Sequence, residues 1–526
     1  MSQTPSNRSL ARSARWRFAL PLAAALTSAA AAVAPAPLWL AHGQPSHQAI
    51  EMSGLLSGSD RYGLRPQDYD AAWLASEVAH LAGGDSALTE SNQFEQRMTI
   101  AATRLIQDLH YGRIDPRAVG FELGAKRSDL DIIAVVRRVA RSQSVADTLA
   151  GIEPAFYHYA LLERALARYR RLALDPALGP LPDIGKHPLR AGALYAGAAA
   201  LRYRLQAEGD LPASTGAADA NRLDGATMAG LQQFQQRMGL HVAAALDART
   251  LAALNVPLAA RVRQIELTLE RWRWLPPFAA PPVIVNIPQY RLFAFSTTAD
   301  RAASLLQMPV IVGRNIPTAR TPVFMGSLRE LVFRPYWDIP RDIMLSEMLP
   351  AIRRNPDYLE HNQLDIVSGE SDSSPVLAPT PAAIDALAAG QARLRQRPGD
   401  DNALGLLKFV FPNAHNVYMH DTPVHRLFLE SRRTFSHGCI RLSEPVALAA
   451  LVLRNEPGDW TEERIRAAMH GPDAYRVHLT HETPVLILYG TALATEAGPV
   501  QFFEDVYGHD ARLAALLHLP PLARQR

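Results

Sequence analysis

The single cysteine of this chain, Cys439, lies in a short motif that could supply a nucleophile. It follows Ser436-His437-Gly438 and precedes Ile440-Arg441, and a further histidine, His420, lies nineteen residues before it. A thiol with histidines nearby in sequence is typical of a Cys–His pair in which an imidazole takes the thiol proton. Although one cysteine or one histidine alone is usually inert, this combination of residues predicts covalent chemistry at Cys439.

The chemistry places demands on the fold around the thiol. A free thiol has a pKa of about 8.5, and lowering it by about two units needs roughly 2.7 kcal/mol of differential interaction, which a nearby imidazole could provide. His420 ends an apolar run and is expected at the end of a strand, whereas Gly438 permits a sharp turn beside Cys439. Two neighbouring strand ends would bring these side chains together. The N–H groups of Gly438 and Cys439 could then bind an oxyanion.

The N-terminus predicts export. Residues 1–43 contain four arginines and no acidic residue, and the stretch from Phe18 to Ala41 is uncharged. This is a charged segment followed by an apolar one, so we expect a signal peptide or an N-terminal membrane anchor over 1–43. A small-residue site near Ala41-His42-Gly43 could be cleaved, but the uncharged span is long enough to remain as an anchor.

Composition narrows the function further. Without residues 1–43 the chain is close to neutral, which argues against nucleic acid as the main partner. One cysteine cannot form an internal disulfide, and a free thiol in an oxidising compartment suggests a use for it. The sequence has neither the ligand spacing of a metal site nor a nucleotide-binding loop, so no metal and no cofactor is expected.

The elements that must position the motif follow in chain order. Apolar residues at helical spacing predict a helical scaffold over 44–188. A compact unit at 189–256 places Leu231, Phe234 and Met238 on one helix face, and Asp247 can cap the next helix. A linker helix is expected over 257–280, ending in Trp272 and Trp274, which we interpret as packing anchors between domains.

After residue 280 the apolar period changes to two. Short runs rich in Val, Ile and Phe predict a sheet-rich domain over 281–495, with the motif near its end. Residues 341–400 interrupt the strands with helix-like and proline-rich segments and are expected to form an inserted helical lid. Residues 496–526 show little pattern and are expected to be a C-terminal tail.

Two resemblances sharpen this outline. The first is to the catalytic signature of L,D-transpeptidases with a YkuD-type catalytic domain. In that signature a histidine is separated by a short stretch from Ser/Thr-His-Gly-Cys. Here His420, within Tyr418-Met419-His420-Asp421-Thr422-Pro423, is separated by residues 421–435 from Ser436-His437-Gly438-Cys439. Residues 397–405 are similar to the large, multidomain Gram-negative branch of that family. Residues 189–256 resemble the small three-helix peptidoglycan-binding domain, although His241-Val242-Ala243 stands where that domain has an Asp-Gly turn. Asp421 also departs from smaller members, which have Gly there.

The resemblance implies an α+β multidomain protein: a helical scaffold, a three-helix peptidoglycan-binding-like domain and a β-sandwich catalytic domain with an inserted helical lid. It implies that the Cys439 thiolate attacks a tetrapeptide stem, releases D-Ala and forms a thioester, which an amine on a second stem resolves into a 3→3 cross-link. His420 would be the proton donor and acceptor, and His437 would orient the site or polarise the carbonyl. The remaining implied site residues are Gly438 in the catalytic group and, for substrate binding, Ser436, which could hydrogen-bond an imidazole, Arg441, Tyr418 and Trp337.

The implied partners are peptidoglycan stem peptides and glycan strands, with carbapenem-type inhibitors, and the implied location is the periplasm. Two alternatives remain open at this point. An L,D-carboxypeptidase or endopeptidase would hydrolyse the same stems with water as the acceptor. A non-catalytic peptidoglycan-binding scaffold would carry an inert Cys439.

Overall fold

A computed structural model describes residues 37–84, 87–124, 129–214, 219–298, 304–496 and 498–520. Most of the predicted signal peptide or anchor, residues 1–36, therefore lies outside the described residues. None of the helices within these ranges has the length and apolar character needed to cross a bilayer.

A helical scaffold comes first, with its own apolar core. Trp39 is fully buried in that core, and its indole N–H donates to Thr99 Oγ1 at 3.0 Å. The Glu95 carboxylate accepts the backbone N–H groups of residues 38–40 at 2.7–3.0 Å. The fold thus begins before residue 43, the expected end of the leader. The elements are strands β1 (Leu40–Ala41) and β2 (Gln44–Pro45) and helices α1 (His47–Ser57), α2 (Ala71–Leu81), α3 (Leu88–Tyr111), α4 (Ile132–Val139), α5 (Val145–Ala150) and α6 (Tyr157–Ala173).

A small helical unit follows, built from α7 (Ala198–Glu208), α8 (Gly225–Arg237) and α9 (Ala248–Leu254). Leu231 and Phe234 are buried in its core, and Asp247 caps α9 by accepting the Thr250 N–H at 2.7 Å, so the predicted face and the predicted cap are both confirmed. Buried Arg237 pairs with Asp210 at 2.5 Å and donates to the carbonyl of Val500. The unit is therefore docked on the C-terminal part of the chain.

Helix α10 (Leu258–Arg273) joins the scaffold to the sheet-rich domain. Trp272 and Trp274 are buried in one core with α6 and with the strands of the sheet, which confirms their interpretation as packing anchors. Gly112, at φ +76°, passes so close that a Cβ there would lie 2.7 Å from the indole nitrogen of Trp274. The domain interface therefore requires glycine at this position.

The sheet-rich domain opens with β3 (Val283–Asn286), β4 (Arg291–Ala294), β5 (Leu306–Gly313) and β6 (Phe324–Phe333). The inserted lid comes next and has its own apolar core. Its strands, β7 (Trp337–Asp338), β8 (Leu364–Val367), β9 (Val376–Leu377) and β10 (Arg393–Gln396), pair in the order β7-β10-β8-β9. Its helical parts are α11 (Arg341–Ile343), a π-helix (Met344–Met348), α12 (Leu349–Arg354), α13 (Tyr358–His361) and α14 (Pro381–Ala389). The expectation of a helical lid was therefore wrong, because the insertion is a mixed α/β unit.

The chain then completes the main sheet, which contains the motif. Its elements are β11 (Leu407–Val410), β12 (Met419–His420), β13 (Thr434–Ser436), β14 (Ile440–Leu442), α15 (Pro445–Leu453), α16 (Glu462–Met469) and β15 (Tyr475–Leu488). Among the described residues the sheet runs β13-β5-β14-β12-β11-β6-β15-β3-β4, and β4 also pairs with β5. The predicted sandwich of two sheets is thus corrected to one sheet whose strands close on themselves.

The expected C-terminal tail is folded over much of its length. It contains β17 (Gln501–Phe502), which pairs with β16 (Ala492–Leu493), and α17 (His509–Leu516). Arg271 on α10 pairs with Asp510 at 2.6 Å, and Tyr507 is buried. These contacts make the segment part of the core of the sheet-rich domain, a role that its weak apolar pattern does not reveal.

We expect Trp39→Ala to lower the free energy of unfolding by about 3–5 kcal/mol, because it removes a fully buried indole together with a hydrogen bond. Chemical denaturation followed by circular dichroism measures this change. Leu174→Ala is the matched control, since Leu174 is 84% exposed and its truncation should leave stability nearly unchanged. Equal stabilities for the two variants would contradict the packing described for Trp39.

Candidate active site

The motif is assembled by one parallel strand pair. In β12 and β14, Met419 lies beside Ile440 and His420 lies beside Arg441. The N–H of Ile440 donates to the carbonyl of Tyr418 at 3.0 Å, so the pairing continues one residue earlier. Cys439 therefore lies beside Tyr418, which is two residues before His420 in the chain.

Side-chain alternation then sorts the motif between two faces. Met419, Ile440 and Leu442 are fully buried in the main core on one face of the strand pair. Because side chains alternate along a strand, Tyr418, His420, Cys439 and Arg441 lie together on the opposite face. The register produces the expected position of His420 at a strand end, on the same face as Cys439. Across the described residues, however, the thiol makes no hydrogen bond to the imidazole.

The imidazole of His420 is fixed and neutral. Its Nδ1 lies 2.5 Å from the carbonyl oxygen of Asp421, which can only accept, so Nδ1 carries the proton and Nε2 keeps its lone pair. Burial, together with the positive charges of Arg441 and Lys408, lowers the pKa of His420 to about 3. At neutral pH the ring is therefore uncharged and able to accept a proton at Nε2.

The Cys439 thiol is also neutral at rest. Burial raises its pKa above the ordinary value. The N–H and O–H of Tyr418 donate to the sulfur, and Lys408 and Arg441 supply positive charge, but these favourable effects offset the burial only in part. The expectation that the site lowers the thiol pKa was therefore wrong. We therefore expect the thiol to give up its proton as it attacks a substrate.

Ser436 supports the turn that presents the thiol. Its hydroxyl donates to the carbonyl of Cys439 at 2.5 Å and accepts the N–H of Gly438 at 3.2 Å. Ser436 is thus occupied within the turn, and it does not bond an imidazole as expected. The Gly438 N–H is also taken, which leaves Cys439 N–H as the expected oxyanion donor that has no backbone partner among the described residues. Gly438 has φ +120°, a conformation that favours glycine.

Two residues outside the motif hold this turn, and the sequence analysis missed both. Thr321 Oγ1 donates to the carbonyl of Gly438 at 2.7 Å and accepts the N–H of Gly313 at 2.9 Å. The Tyr507 hydroxyl donates to the carbonyl of Gly313 at 2.6 Å. Nothing in the sequence around Thr321 or Tyr507 indicates these roles, because each depends on contacts more than a hundred residues away.

Lys408 is a further residue that sequence reasoning missed. It lies directly opposite His420 across β11 and β12, and its Nζ is 4.0 Å from the centre of the Tyr418 ring. Trp337, at the first strand of the lid, hydrogen-bonds the hydroxyl of Tyr418. The predicted pair Tyr418 and Trp337 therefore meets beside the thiol, where the lid joins the sheet.

His437 faces the lid. Its Nε2 lies 2.7 Å from Glu347 Oε1 in the π-helix, and Arg314 Nη2 lies 3.4 Å from the same oxygen. The hydrogen bond to His437, with its charge and that of Arg314, holds the pKa of Glu347 below its usual range. The candidate catalytic histidines thus divide, with His420 buried behind the thiol and His437 half-exposed toward the lid.

Two further residues flank His420: Arg441 on the neighbouring strand β14, and Asp421 as the next residue in the chain. Arg441 is half-buried beside His420, burial lowers the pKa of its guanidinium, and its Nε has no hydrogen-bond partner within the described part of the chain. Asp421, the departure from smaller family members, accepts the N–H of Leu406 at 2.9 Å, directly after the lid. Its carboxylate therefore fixes the point where the chain leaves the lid and re-enters the sheet.

Comparisons with known proteins agree with the motif. Residues 281–486 match the family model of the L,D-transpeptidase catalytic domain, and residues 26–166 match a model described as a scaffold domain. The chain is similar to a Haemophilus influenzae protein named "Putative L,D-transpeptidase", with 31% identity over 254 residues, covering 48% of this chain and 49% of the relative. The chain thus spans about half the length of that curated relative. The predicted resemblance to the L,D-transpeptidase family is confirmed for the catalytic domain.

A solved structure is also similar, the L,D-transpeptidase (residues 123–326) from Xylanimonas cellulosilytica. The match covers 58% of this chain and all of that one, at 14% identity and a TM-score of 0.18. A TM-score this low supports no conclusion about the fold.

We expect Lys408→Met to shift the pH dependence of Cys439 alkylation to higher pH. The Lys408 charge favours the thiolate, so its removal raises the thiol pKa and lowers the alkylation rate several-fold at a fixed pH below it. Alkylation rates with iodoacetamide measured across the alkaline range test this shift. Lys186→Met, an exposed lysine outside the catalytic domain, is the matched control. An unshifted profile in Lys408→Met would show that this charge does not act on the sulfur.

Proposed function

We propose that this protein is an L,D-transpeptidase that forms 3→3 peptidoglycan cross-links through a thioester on Cys439. The observation that carries the proposal is the common face shared by Cys439 and a neutral His420 whose Nδ1 is fixed by the Asp421 carbonyl. A thiol beside an oriented imidazole is the arrangement that nucleophilic acyl transfer needs.

In the first half of the reaction, His420 Nε2 takes the thiol proton as the sulfur attacks the carbonyl of the third residue of a tetrapeptide stem. The C–N bond to the terminal D-Ala breaks, and the imidazolium returns the proton to the leaving nitrogen. Lys408, Arg441 and the Tyr418 hydroxyl stabilise the negative sulfur during attack. The Cys439 N–H, which has no backbone partner among the described residues, would bind the developing oxyanion.

In the second half, an amine from another stem attacks the thioester, and the thiolate leaves and regains a proton through His420. Water in place of the amine would make the enzyme an L,D-carboxypeptidase or endopeptidase. The lid favours the amine, because it meets the sheet at Trp337 and Tyr418 beside the thiol and limits solvent on that side. The third alternative, a non-catalytic scaffold, does not account for the buried His420 and the half-buried Lys408 and Arg441 on the side of the strand pair that carries the sulfur.

The other parts of the chain fit work on the cell wall. The unit formed by α7–α9 would bind glycan strands, and the helical scaffold would hold it against the catalytic domain through α10. We propose a periplasmic location, with a signal peptide or an N-terminal membrane anchor within the predicted segment 1–43. Carbapenem-type inhibitors would acylate the same sulfur.

Purified protein incubated with tetrapeptide muropeptides should release D-Ala and form dimers, and Cys439→Ala should abolish both. His420→Ala should lower the acylation rate by about 10²–10⁴-fold, the usual contribution of a general base. Chromatography with mass spectrometry measures the products. His425→Ala is the matched control, because His425 is exposed five residues away and should retain activity. Dimer formation by Cys439→Ala would contradict the thioester mechanism. If the native protein gives trimmed monomers and no dimers, the hydrolase is favoured instead.

A further inference from the structure

The peptide group between Gly438 and Cys439 contains the N–H that is expected to bind the oxyanion. Because a peptide bond is planar and trans, the carbonyl of Gly438 and the N–H of Cys439 point in opposite directions within one plane. Whatever fixes the direction of this carbonyl therefore also fixes the direction of the N–H. Among the described residues, the carbonyl accepts one hydrogen bond, from the hydroxyl of Thr321 at 2.7 Å.

The hydroxyl of Thr321 is itself fixed in direction. It accepts the N–H of Gly313 at 2.9 Å, and its own proton goes to the carbonyl oxygen of Gly438, which can only accept. Thr321 is 1% exposed, so both hydrogen bonds are shielded from solvent. Gly313 packs so closely against this segment that a Cβ there would lie 2.7 Å from the backbone nitrogen of Thr321. The hydroxyl is thus held between two backbone segments.

Tyr507 holds Thr321 in turn. Its hydroxyl accepts the N–H of Thr321 at 3.3 Å and donates to the carbonyl of Gly313 at 2.6 Å. The backbone N–H of Tyr507 donates to the hydroxyl of Tyr489 at 2.9 Å, and that hydroxyl donates to Asp505 Oδ1 at 2.6 Å. Both tyrosines are buried. A continuous series of hydrogen bonds therefore connects the C-terminal segment to Thr321.

The turn needs this support because it resists rotation only weakly. Gly438 has φ +120° and no Cβ, so the peptide group that follows it meets little steric hindrance when it rotates. Ser436 fixes the groups on either side, since it accepts the Gly438 N–H at 3.2 Å and donates to the Cys439 carbonyl at 2.5 Å. It does not bond to the peptide group between them. The direction of the Cys439 N–H therefore depends on Thr321.

We propose that Thr321, held by Tyr507, is a positioning residue that orients the Cys439 N–H toward the oxyanion formed during acyl transfer. As the C–S bond forms, the π electrons of the substrate carbonyl move to its oxygen, and the Cys439 N–H donates to that oxygen. The carbonyl forms again when the C–N bond to D-Ala breaks, and His420 gives its proton to the leaving nitrogen. Thr321 touches none of the reacting atoms. This inference rests on the proposed transpeptidase function and adds a residue that its first step requires.

Two reactions at the same sulfur test this role, because only one of them forms an oxyanion. A tetrapeptide donor is attacked at a carbonyl, whereas iodoacetamide is attacked at its CH₂ carbon and loses iodide without charge developing on oxygen. Rapid-quench mass spectrometry of the intact protein measures the rates of thioester formation and of alkylation. The ratio of the two rates reports on the oxyanion donor, since a change in the reactivity of the thiol alters both.

Thr321→Val keeps the shape of the side chain and removes the hydroxyl. Its acylation rate at saturating donor should fall by roughly tenfold to a hundredfold, somewhat less than the 10²–10³-fold cost of deleting an oxyanion donor. The half-saturating donor concentration and the alkylation rate should change little, because the oxyanion is absent from the bound donor and from alkylation. Thr321→Ser keeps the hydroxyl and should restore most of the acylation rate. Tyr507→Phe should lower the acylation-to-alkylation ratio by a smaller factor.

Thr268→Val is the matched control. Thr268 is also 1% exposed, and its hydroxyl donates to the carbonyl of Gln264 at 2.8 Å within α10, outside the motif. Both rates should stay at the native values in this variant. An equal fall of the ratio in Thr268→Val and Thr321→Val would show that the loss of any buried hydroxyl has this effect, and would contradict the proposal.

The outcomes separate the two levels of inference. If the native protein is alkylated but forms no thioester with the tetrapeptide, the proposed function fails, and p-nitrophenyl acetate then serves as the carbonyl donor for the same variants. If Thr321→Val acylates at the native rate, or loses acylation and alkylation in equal proportion, the positioning role is wrong while the transpeptidase proposal stands. Should Thr321→Val fail to fold, an unchanged ratio in Tyr507→Phe would overturn the positioning role.

Discussion

The parallel pairing of β12 with β14 is the constraint on which the site depends. A strand ladder fixes the side-chain faces of both partners, so placing Met419 beside Ile440 decides at once which residues enter the core and which surround the thiol. Slippage by one residue would turn His420 or Cys439 into the apolar core. The fully buried side chains on the opposite face therefore stabilise the register, and the chemistry depends on their packing.

The same burial governs the charge state of the site. It raises the pKa of the thiol and lowers that of the imidazole to about 3, so both groups are neutral before substrate arrives. A neutral thiol is less prone to reaction before substrate binds, since the thiolate is the form that reacts. Lys408, Arg441 and Tyr418 are already oriented around the sulfur, and their contribution grows as negative charge develops there.

The sequence predicted the candidate nucleophile Cys439, its candidate partner His420, the helix cap Asp247 and the two tryptophans at the domain interface, because each leaves a local pattern. The roles of Thr321, Tyr507 and Lys408 could not be predicted from the sequence, because these residues act through contacts that form only in the closed sheet. The mixed composition of the lid was missed since its strands have only two to four residues, too few for an alternating pattern. The direction of the thiol pKa shift was missed for a related reason, because burial cannot be read from a motif.

The pairing of β4 with β5 also affects how prone the protein is to aggregate through its strand edges. A sheet with open sides presents rows of unpaired backbone groups that recruit strands from other molecules. Here the ends of the sheet meet, and among the described residues the strand left at the margin, β13, has only the three residues Thr434–Ser436. The topology that positions the Ser436–Cys439 turn thus also leaves little open strand edge for edge-to-edge aggregation.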